Sequence, residues 1–305
     1  MKNIVITGVA GFVGRHCARH FKTKGFEVYG IDSSPEEHAP MSDLTAYRRI
    51  RMPSAAVDDL LAETRPAALV HCAGRASVPL SVSDPKTDFY SGPVLTWEVL
   101  DSIRRCSPET RFVFLSSAAV YGTPASLPVT ESSPVVPLSP YGSHKHQSET
   151  ICSEFHEMFG IHSASLRIFS AYGPGLQRQV MWDLCHQALT RHAIAAQGTG
   201  AESRDFVHVK DICSAIECVL TNAPARGEVY NLGSGVETPI GALADMIAAA
   251  LSPGCPISFS GVVPQGTPLN WCADISRLHE LGFQPSVQIG LGVRNYAEWC
   301  KAALL

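Results

Sequence analysis

A tyrosine and a lysine four residues apart are the first pair in this sequence whose types and spacing could do chemistry. Tyr141 and Lys145 follow Pro140 at the start of a predicted helix, so both side chains share one helix face. A phenol, with a pKa of about 10, is a poor base at neutral pH, and an ammonium group beside it lowers that pKa. Ser117 ends a predicted buried strand, where its hydroxyl can bind the oxygen that Tyr141 deprotonates. The sequence therefore predicts Ser117, Tyr141 and Lys145 as catalytic residues.

Short β-rich segments alternate with helical segments in the part of the chain that must position these residues. The predicted strands cover 3–6, 27–31, 47–50, 68–72, 111–116 and 163–168, and the predicted helices include 12–24, 55–63 and 141–159. Strands separated by helices indicate parallel βαβ units. The predicted fold class is therefore α/β, a doubly wound parallel sheet.

Three glycines at intervals of three residues join the first predicted strand to the first helix. Such small residues let the turn close, let backbone amides approach a pyrophosphate, and let the helix pack on the strand. The second strand ends at Asp32, whose carboxylate can accept both hydroxyls of a ribose and would repel a 2′-phosphate, while Ser33 and Ser34 supply no arginine. The predicted cofactor is NAD rather than NADP, bound in this part of the chain by Gly8, Gly11, Phe12, Val13, Gly14, Asp32 and Ser33.

Beyond residue 168 the chain is richer in glycine and proline loops, which is typical of a substrate-binding cap. We therefore expect a smaller, loop-rich C-terminal domain beside the sheet. The predicted division is an NAD-binding domain at 1–169, with 205–234 returning to it, and a substrate-binding domain at 170–204 and 235–305.

Charge and composition exclude several kinds of partner. The 305 residues carry 24 Lys and Arg against 28 Asp and Glu, a formal net charge of −4, without a basic block that could bind nucleic acid or an anionic membrane. The sequence contains no apolar stretch of the roughly 18 residues that span a bilayer and no signal-peptide pattern, so we expect a cytoplasmic protein. The 10 dispersed cysteines are typical of reduced thiols, and we expect no metal.

Several motifs along the chain together resemble one family. They are Thr7-Gly8 to Gly14, His71-Cys72-Ala73-Gly74, Ser116-Ser117, Tyr121-Gly122, Ser139-Pro140-Tyr141 with Lys145, Leu166-Arg167, Tyr172-Gly173-Pro174, Arg204-Asp205-Phe206 and Tyr230-Asn231-Leu232-Gly233. On these residues the chain resembles the extended short-chain dehydrogenases/reductases of the NAD-dependent epimerase/dehydratase family, which mostly modify nucleotide sugars. The resemblance implies a Rossmann fold and adds Cys72, Ala73, Gly74, Ser116, Tyr141 and Lys145 to the expected NAD-binding residues.

The residues after Ser117 favour one reaction within this family. The sugar 4,6-dehydratases that resemble this chain carry Asp-Glu there as the extra acid and base that removal of water needs, whereas this chain has Ala118 and Ala119. What remains suffices for reversible oxidation of one alcohol carbon, which predicts a nucleotide-sugar 4-epimerase acting through a 4-keto intermediate. A nucleotide-sugar 4-ketoreductase needs the same residues and stays an alternative, as does a non-catalytic NAD-binding scaffold or sensor.

The resemblance also implies where a substrate binds. The segment 76–81 resembles the Ser-Val-Pro loop of UDP-N-acetylhexosamine 4-epimerases, which favours a UDP-sugar. Several family positions are altered: Ser170 replaces an Asn at the diphosphate, Gly92 replaces a second Asn, Met52 replaces an Asp near the adenine, and 263–267 replaces a stretch with a phosphate-binding Arg. Arginine suits bidentate phosphate contacts. The expected substrate-binding residues are Ser77, Ser117, Ser170, Arg178 and Arg204.

Two predicted helices have apolar residues at helical spacing, over about 85–105 and 141–159. In this family the equivalent pair forms a two-fold four-helix bundle, so the resemblance implies a homodimer.

Overall fold

Seven parallel strands form the central sheet of the protein, which a computed structural model describes over residues 2–263 and 269–304. The strands of the chain are β1 (Asn3–Thr7), β2 (Glu27–Asp32), β3 (Ala46–Arg49), β4 (Ala68–His71), β5 (Arg111–Ser117), β6 (Ser163–Ile168), β7 (Ser170–Tyr172), β8 (Ile194–Ala196), β9 (Ser203–His208), β10 (Arg226–Leu232), β11 (Glu237–Pro239) and β12 (Ile257–Phe259). The central sheet has the order β10-β6-β5-β4-β1-β2-β3, and all its neighbouring strands are parallel. The predicted doubly wound α/β class is confirmed.

Helices cover both faces of this sheet. They are α1 (Phe12–Thr23), α2 (Ala56–Thr64), α3 (Val78–Ser83), α4 (Pro85–Phe89), α5 (Leu95–Cys106), α6 (Pro140–Phe159), α7 (Gln179–Arg191), α8 (Val209–Asn222), α9 (Ile240–Leu251), α10 (Ser276–Glu280) and α11 (Ile289–Leu304). Apolar residues of α1 and α8 pack on one face of the sheet, and those of α2, α5 and α6 pack on the other. Within the described ranges, no helix is long and apolar enough to cross a membrane.

The predicted helix over 85–105 is interrupted. A π-helical turn, Tyr90–Val94, separates α4 from α5 and contains Pro93. Proline lacks a backbone N–H and cannot continue the regular hydrogen-bond ladder of an α-helix. The turn lies against α6, so it bears on the position of Tyr141 and Lys145.

The strand order reverses at β1, which pairs with β2 on one side and with β4 on the other. The connections that follow β1 and β4 therefore leave the sheet in opposite directions, and a crevice opens at the carboxyl ends of these strands. In open α/β sheets this crevice is the usual place for a ligand.

The C-terminal half builds a second, smaller core. A three-stranded sheet of order β11-β9-β7, a parallel pair β12-β8, and helices α7, α9 and α11 surround side chains that include Leu184, Ile247 and Tyr296. This part holds more helix than its glycine and proline content predicts. β9 belongs to the small sheet, whereas α8 and β10 pack with the large one. The domain division given above stays a prediction.

Candidate active site

A cleft of about 730 Å³ opens at the carboxyl ends of β1, β4 and β5. It is lined by nearly all the residues predicted for the site, namely Gly8, Gly11, Phe12, Val13, Gly14, Cys72, Ala73, Gly74, Ser77, Ser116, Ser117, Tyr141, Lys145, Ser170, Arg178 and Arg204. Asp32 and Ser33 lie beside the cleft, outside its lining. The fold therefore joins the predicted catalytic, cofactor and substrate residues in one place.

The glycine turn at the head of the cleft depends on backbone space. Gly8 has a φ of +65°, and a Cβ there would lie 2.6 Å from the backbone nitrogen of Ala73. A Cβ on Gly14 would collide with the carbonyl oxygen of Gly8. Helix α1 begins after Gly11, and its first turn lines the cleft. The N–H groups of that turn and the helix dipole fit the pyrophosphate of NAD.

Asp32 is held at the end of β2 by two backbone donors. Its Oδ2 accepts the N–H of Ala10 at 3.0 Å, and its Oδ1 accepts the N–H of Ser34 at 3.0 Å. The carboxylate is thus fixed next to the glycine turn, as a ribose contact requires. The neighbouring strand also brings an arginine, since Nε of Arg49 donates to the carbonyl oxygen of Ser33 at 3.3 Å. Sequence reasoning considered only Ser33 and Ser34 at this place and missed Arg49.

The end of β4 forms the floor of the cleft. Thr7 Oγ1 accepts the N–H of Ala73 at 3.3 Å and lies 2.8 Å from Nδ1 of His71. Burial and the charge of Lys145 lower the pKa of His71 to about 3, so the imidazole is neutral. His71 therefore joins the ends of β1 and β4 through its contact with Thr7.

The first turn of α6 positions Tyr141. Ser139 Oγ caps the helix by accepting the N–H of Gly142 at 3.2 Å, and Ser81 Oγ accepts the N–H of Tyr141 at 3.1 Å. Ser81 is fully buried in α3. Ser77 begins that same helix, and its Oγ accepts the N–H of Leu80 at 3.4 Å. The segment expected to touch substrate therefore also fixes the start of the catalytic helix.

The backbone of β5 holds the side chain of Lys145. Its Nζ donates to the carbonyl oxygen of Leu115 at 2.7 Å, 4.6 Å from the ring centroid of Phe114 and 5.8 Å from that of Tyr141. Burial lowers the pKa of Lys145 to about 8. The lysine is therefore close to the phenol, but part of its charge is lost at mildly alkaline pH.

Burial is the largest influence on the acidity of the Tyr141 phenol. Burial raises the pKa of Tyr141, while a hydrogen bond with Ser117 and the positive charge of Arg178 act to lower it. The expectation that Lys145, together with the positive nicotinamide of NAD, favours the phenolate stays a prediction. Ser117 also accepts the N–H of Ala119 at 3.2 Å, which aims its hydroxyl along the cleft.

Ser116 has a structural role that sequence reasoning missed. Its Oγ donates to Oε1 of Glu149 at 2.6 Å, and Glu149 is paired with Arg167 at 2.8 Å. All three side chains are buried. Ser116 therefore ties β5 to α6 through its side chain, although it also lines the cleft.

The far end of the cleft carries two arginines. Arg204 Nη1 donates to the carbonyl oxygens of Ser203 at 2.6 Å and Leu269 at 3.2 Å, and its guanidinium lies 5.7 Å from the ring centroid of Trp271. Burial lowers the pKa of Arg204. Because its partners are carbonyls, its positive charge is available to an anion. Of the altered stretch 263–267, residues 264–267 lie outside the described residues.

Arg178 lies closer to the catalytic residues. Its Nη1 donates to the carbonyl oxygen of Ala76 at 2.7 Å, on the loop that leads into α3. Ser170 begins β7 and pairs in register with Phe206 of β9. The apolar wall of this end, formed by Met181, Phe206 and Trp271, was missed by sequence reasoning, although Phe206 belongs to the Arg204-Asp205-Phe206 motif.

Comparisons with known proteins agree with this geometry. The family model described as NAD dependent epimerase/dehydratase family matches residues 4–233. The UDP-glucose 4-epimerase of Mycolicibacterium smegmatis is 29% identical over 308 residues, covering 97% of each chain. A UDP-glucose 4-epimerase of Thermus thermophilus, solved with NAD, is 25% identical with a TM-score of 0.88 over 99% of this chain and 100% of that one.

A third similar structure is the UDP-N-acetylglucosamine 4-epimerase of Methanobrevibacter ruminantium, in complex with UDP-N-acetylmuramic acid. It is 25% identical with a TM-score of 0.90 over 99% of both chains. The predicted fold, the NAD cofactor and an enzyme of epimerase type are supported by these relatives. Since the family model covers well over half of its length, the chain belongs to the NAD-dependent epimerase/dehydratase family.

Proposed function

We propose that the protein is a nucleotide-sugar 4-epimerase that uses NAD and acts on a UDP-sugar. The observation that carries this proposal is the convergence of Ser117, Tyr141 and Lys145 on one cleft, with the glycine turn at its head and Arg204 at its far end. With NAD as hydride acceptor and donor, Ser117, Tyr141 and Lys145 can support the oxidation and reduction of one alcohol carbon. Arg204 suits the diphosphate of a sugar nucleotide. The UDP-sugar epimerases among the relatives support the same substrate class.

The glycine turn and Asp32 would hold NAD⁺, which would supply the hydride acceptor for oxidation of C4 and the hydride donor for the return to the other face of the sugar. Tyr141 takes the proton of the C4 hydroxyl as the C4–H bond breaks and the C4 ketone forms. Ser117 donates a hydrogen bond to the same oxygen, and the ammonium of Lys145 stabilises the negative charge on the phenol oxygen. In the second half of the reaction Tyr141 gives the proton back to the alkoxide.

The surroundings of Ser117 favour this reaction over removal of water. Ala118 is buried and Ala119 lines the cleft, and a methyl group can act neither as acid nor as base. Dehydration of a keto-sugar needs both functions. The geometry therefore supports an enzyme that changes the configuration at one carbon and leaves the rest of the sugar intact.

Arg178 takes over, in this proposal, a contact that the altered stretch 263–267 has lost. It is exposed in the cleft, and its partner is the carbonyl oxygen of Ala76, so its charge is free to meet an anionic group of the substrate. The charge of Arg178 also acts on the pKa of Tyr141, so Arg178 lies near the tyrosine as well.

The assembly in this proposal is a homodimer built on α4, α5 and α6. Large apolar side chains are exposed on these helices and on the π-helical turn between α4 and α5, with Tyr90 57% exposed, Trp97 43%, Met158 66% and Phe159 51%. Phe155 joins Trp97 and Phe159 through ring contacts at 5.9 and 5.3 Å, so the patch is continuous across α5 and α6. Burying such a patch between two copies removes apolar area from water. Light scattering on the purified protein measures its molar mass in solution, and we expect the mass of a dimer.

The activity test is incubation of the protein, without added cofactor, with UDP-, dTDP-, GDP- and CDP-sugars, followed by separation of epimers. We expect epimer formation from a UDP-sugar, NAD released on denaturation, and loss of turnover by about 100-fold or more in Tyr141→Phe with NAD retained. Tyr29→Phe is the matched control, because its hydroxyl bonds to Glu27, away from the cleft. A requirement for added NADH with each turnover would instead indicate the 4-ketoreductase.

A further inference from the structure

A carboxylate and an imidazole form a close pair immediately behind the catalytic residues. Asp88, on α4, is 3% exposed, and its Oδ2 accepts a hydrogen bond from Nδ1 of His144 at 2.6 Å. His144 lies on α6, three residues after Tyr141 and one before Lys145. Its ring packs edge-on against Phe89 with centroids 5.4 Å apart. Neither Asp88 nor His144 has a part in the mechanism described above.

The π-helical turn lies against this pair. Gly92 lies in that turn, and a Cβ on it would be 3.7 Å from Cβ of His144, an ordinary van der Waals contact. The turn and His144 are therefore packed neighbours.

The carboxylate of Asp88 shares a small inner pocket with the catalytic pair. Asp88, His144, Tyr141 and Lys145 all line it, together with Ala73, Arg75, Ser91, Gly92 and Phe114. Among the charges that favour the ammonium form of Lys145, that of Asp88 is the largest, and it opposes the effect of burial. The same carboxylate raises the pKa of Tyr141. Asp88 is thus coupled to both catalytic groups.

Two other carboxylates near the pair, Glu149 and Asp84, are each paired with an arginine. Glu149 accepts from Arg167 at 2.9 and 2.8 Å and from Ser116, so its charge is compensated. Arg75 is paired with Asp84 at 3.2 Å. The remaining titratable or charged groups on the packed elements are Lys86, His146, Arg178, His71, Cys72 and Cys152. Asp88, whose partner is a histidine, is therefore the carboxylate best placed to act on Lys145.

We propose that Asp88 and His144 are a positioning pair for the reaction, in which His144 orients the buried carboxylate of Asp88 as the counter-charge that holds Lys145 as an ammonium beside Tyr141. The proposal rests on the epimerase function for its catalytic meaning, but the electrostatic coupling is a property of the folded chain itself. Loss of the negative charge favours the neutral lysine and also the phenolate, so both groups titrate at lower pH.

The test is the pH dependence of kcat and KM in Asp88→Asn and His144→Leu. We expect the whole pH profile of kcat to move to lower pH by about one unit in Asp88→Asn, with KM little changed. His144→Leu should move it in the same direction, because a buried carboxylate without its donor takes up a proton more readily. His144→Asn, whose amide nitrogen replaces Nδ1, should restore the wild-type profile. His156→Leu is the matched control toward the other end of the same helix, where the ring contacts the carbonyl oxygen of Ile161, and it should leave the profile in place.

A second measurement needs no substrate. Ultraviolet titration of the phenolate of Tyr141 in the NAD complex, with each protein compared with its own Tyr141→Phe counterpart, should give a lower pKa in Asp88→Asn. If the wild type turned over no nucleotide sugar, the proposed function would fail while this titration still decided the pairing. Unchanged titration and an unshifted profile, with only a lower unfolding temperature, would mean that the pair is structural and overturn the proposal.

Discussion

The backbone N–H of Tyr141 donates to the hydroxyl of Ser81, 60 residues earlier in the chain, at 3.1 Å. Ser81 in turn donates to the carbonyl oxygen of Val78, so the hydroxyl is fixed in one orientation. An N–H in the first turn of a helix has no partner within the helix and needs one from outside. Tyr141 is therefore held through its backbone by α3, whose first residues line the cleft.

We expect Ser81→Ala to leave the N–H of Tyr141 unpaired in a buried place. The free energy of unfolding should fall by about 1–3 kcal/mol, and kcat should fall more than NAD retention, because Tyr141 shifts while the glycine turn stays intact. Urea unfolding, turnover and nucleotide release check the three effects. Ser83→Ala is the control, since that hydroxyl is exposed on the same helix. Equal losses of NAD and activity would contradict this role.

Lys145 should cost the protein stability at neutral pH. Its pKa is about 8 in the folded protein against an ordinary 10.5, so below pH 8 the folded chain keeps a charge that burial penalises. Between these values the unfolded chain alone stays protonated, and stability from this group rises with pH. Lys145→Met removes the penalty but also the bond to Leu115.

The variant should therefore be inactive yet more stable than the wild type by about 2 kcal/mol at pH 7. The difference in stability between Lys145→Met and the wild type should shrink toward pH 10. Urea midpoints across this range check the sign, and Lys22→Met, at an exposed lysine of α1, is the control. A stability difference that does not change with pH would mean that Lys145 is not buried as a charge.

Asp32→Ala should weaken the preference for NAD over NADP more than removal of a repulsion alone would. Arg49 already lies beside Ser33, so the variant has a cation near the place of a 2′-phosphate. Fluorescence titration should show the ratio of the two Kd values narrowed by about tenfold or more. In the double variant Asp32→Ala with Arg49→Ala, the ratio of the two Kd values should widen again. If NADP binding were indifferent to Arg49, the preference would depend on Asp32 alone.

The outcome for individual residues shows which features were predictable from the sequence. The glycine turn, Asp32 and the Tyr141–Lys145 spacing are local patterns, because a strand, a turn and one helix face suffice to place them. The contacts of Ser81 with Tyr141, Asp88 with His144 and Arg49 with Ser33 join separate elements, and no periodicity encodes them. The spacing of Tyr141 and Lys145 indicates a nearby cation but not the depth of burial that raises the pKa of Tyr141.

Steady-state kinetics should distinguish the roles of Arg178 and Arg204 in the cleft. Arg204 is half-buried over Trp271 at the far end, so Arg204→Ala should raise KM for the best nucleotide sugar by about tenfold or more with a small change in kcat. Arg178 lies closer to Tyr141 and acts on its pKa. Arg178→Ala should therefore raise KM and also lower kcat, with the kcat loss largest at low pH, where the phenolate is scarcest.

Arg178→Lys separates charge from geometry, because a lysine keeps the charge but cannot make a bidentate contact. It should restore kcat more fully than KM. If Arg178→Ala left KM unchanged while Arg204→Ala raised it strongly, Arg178 would not replace the missing phosphate contact. If neither variant changed KM, the diphosphate would have no arginine partner in this cleft, and a small alcohol or ketone would become the better substrate.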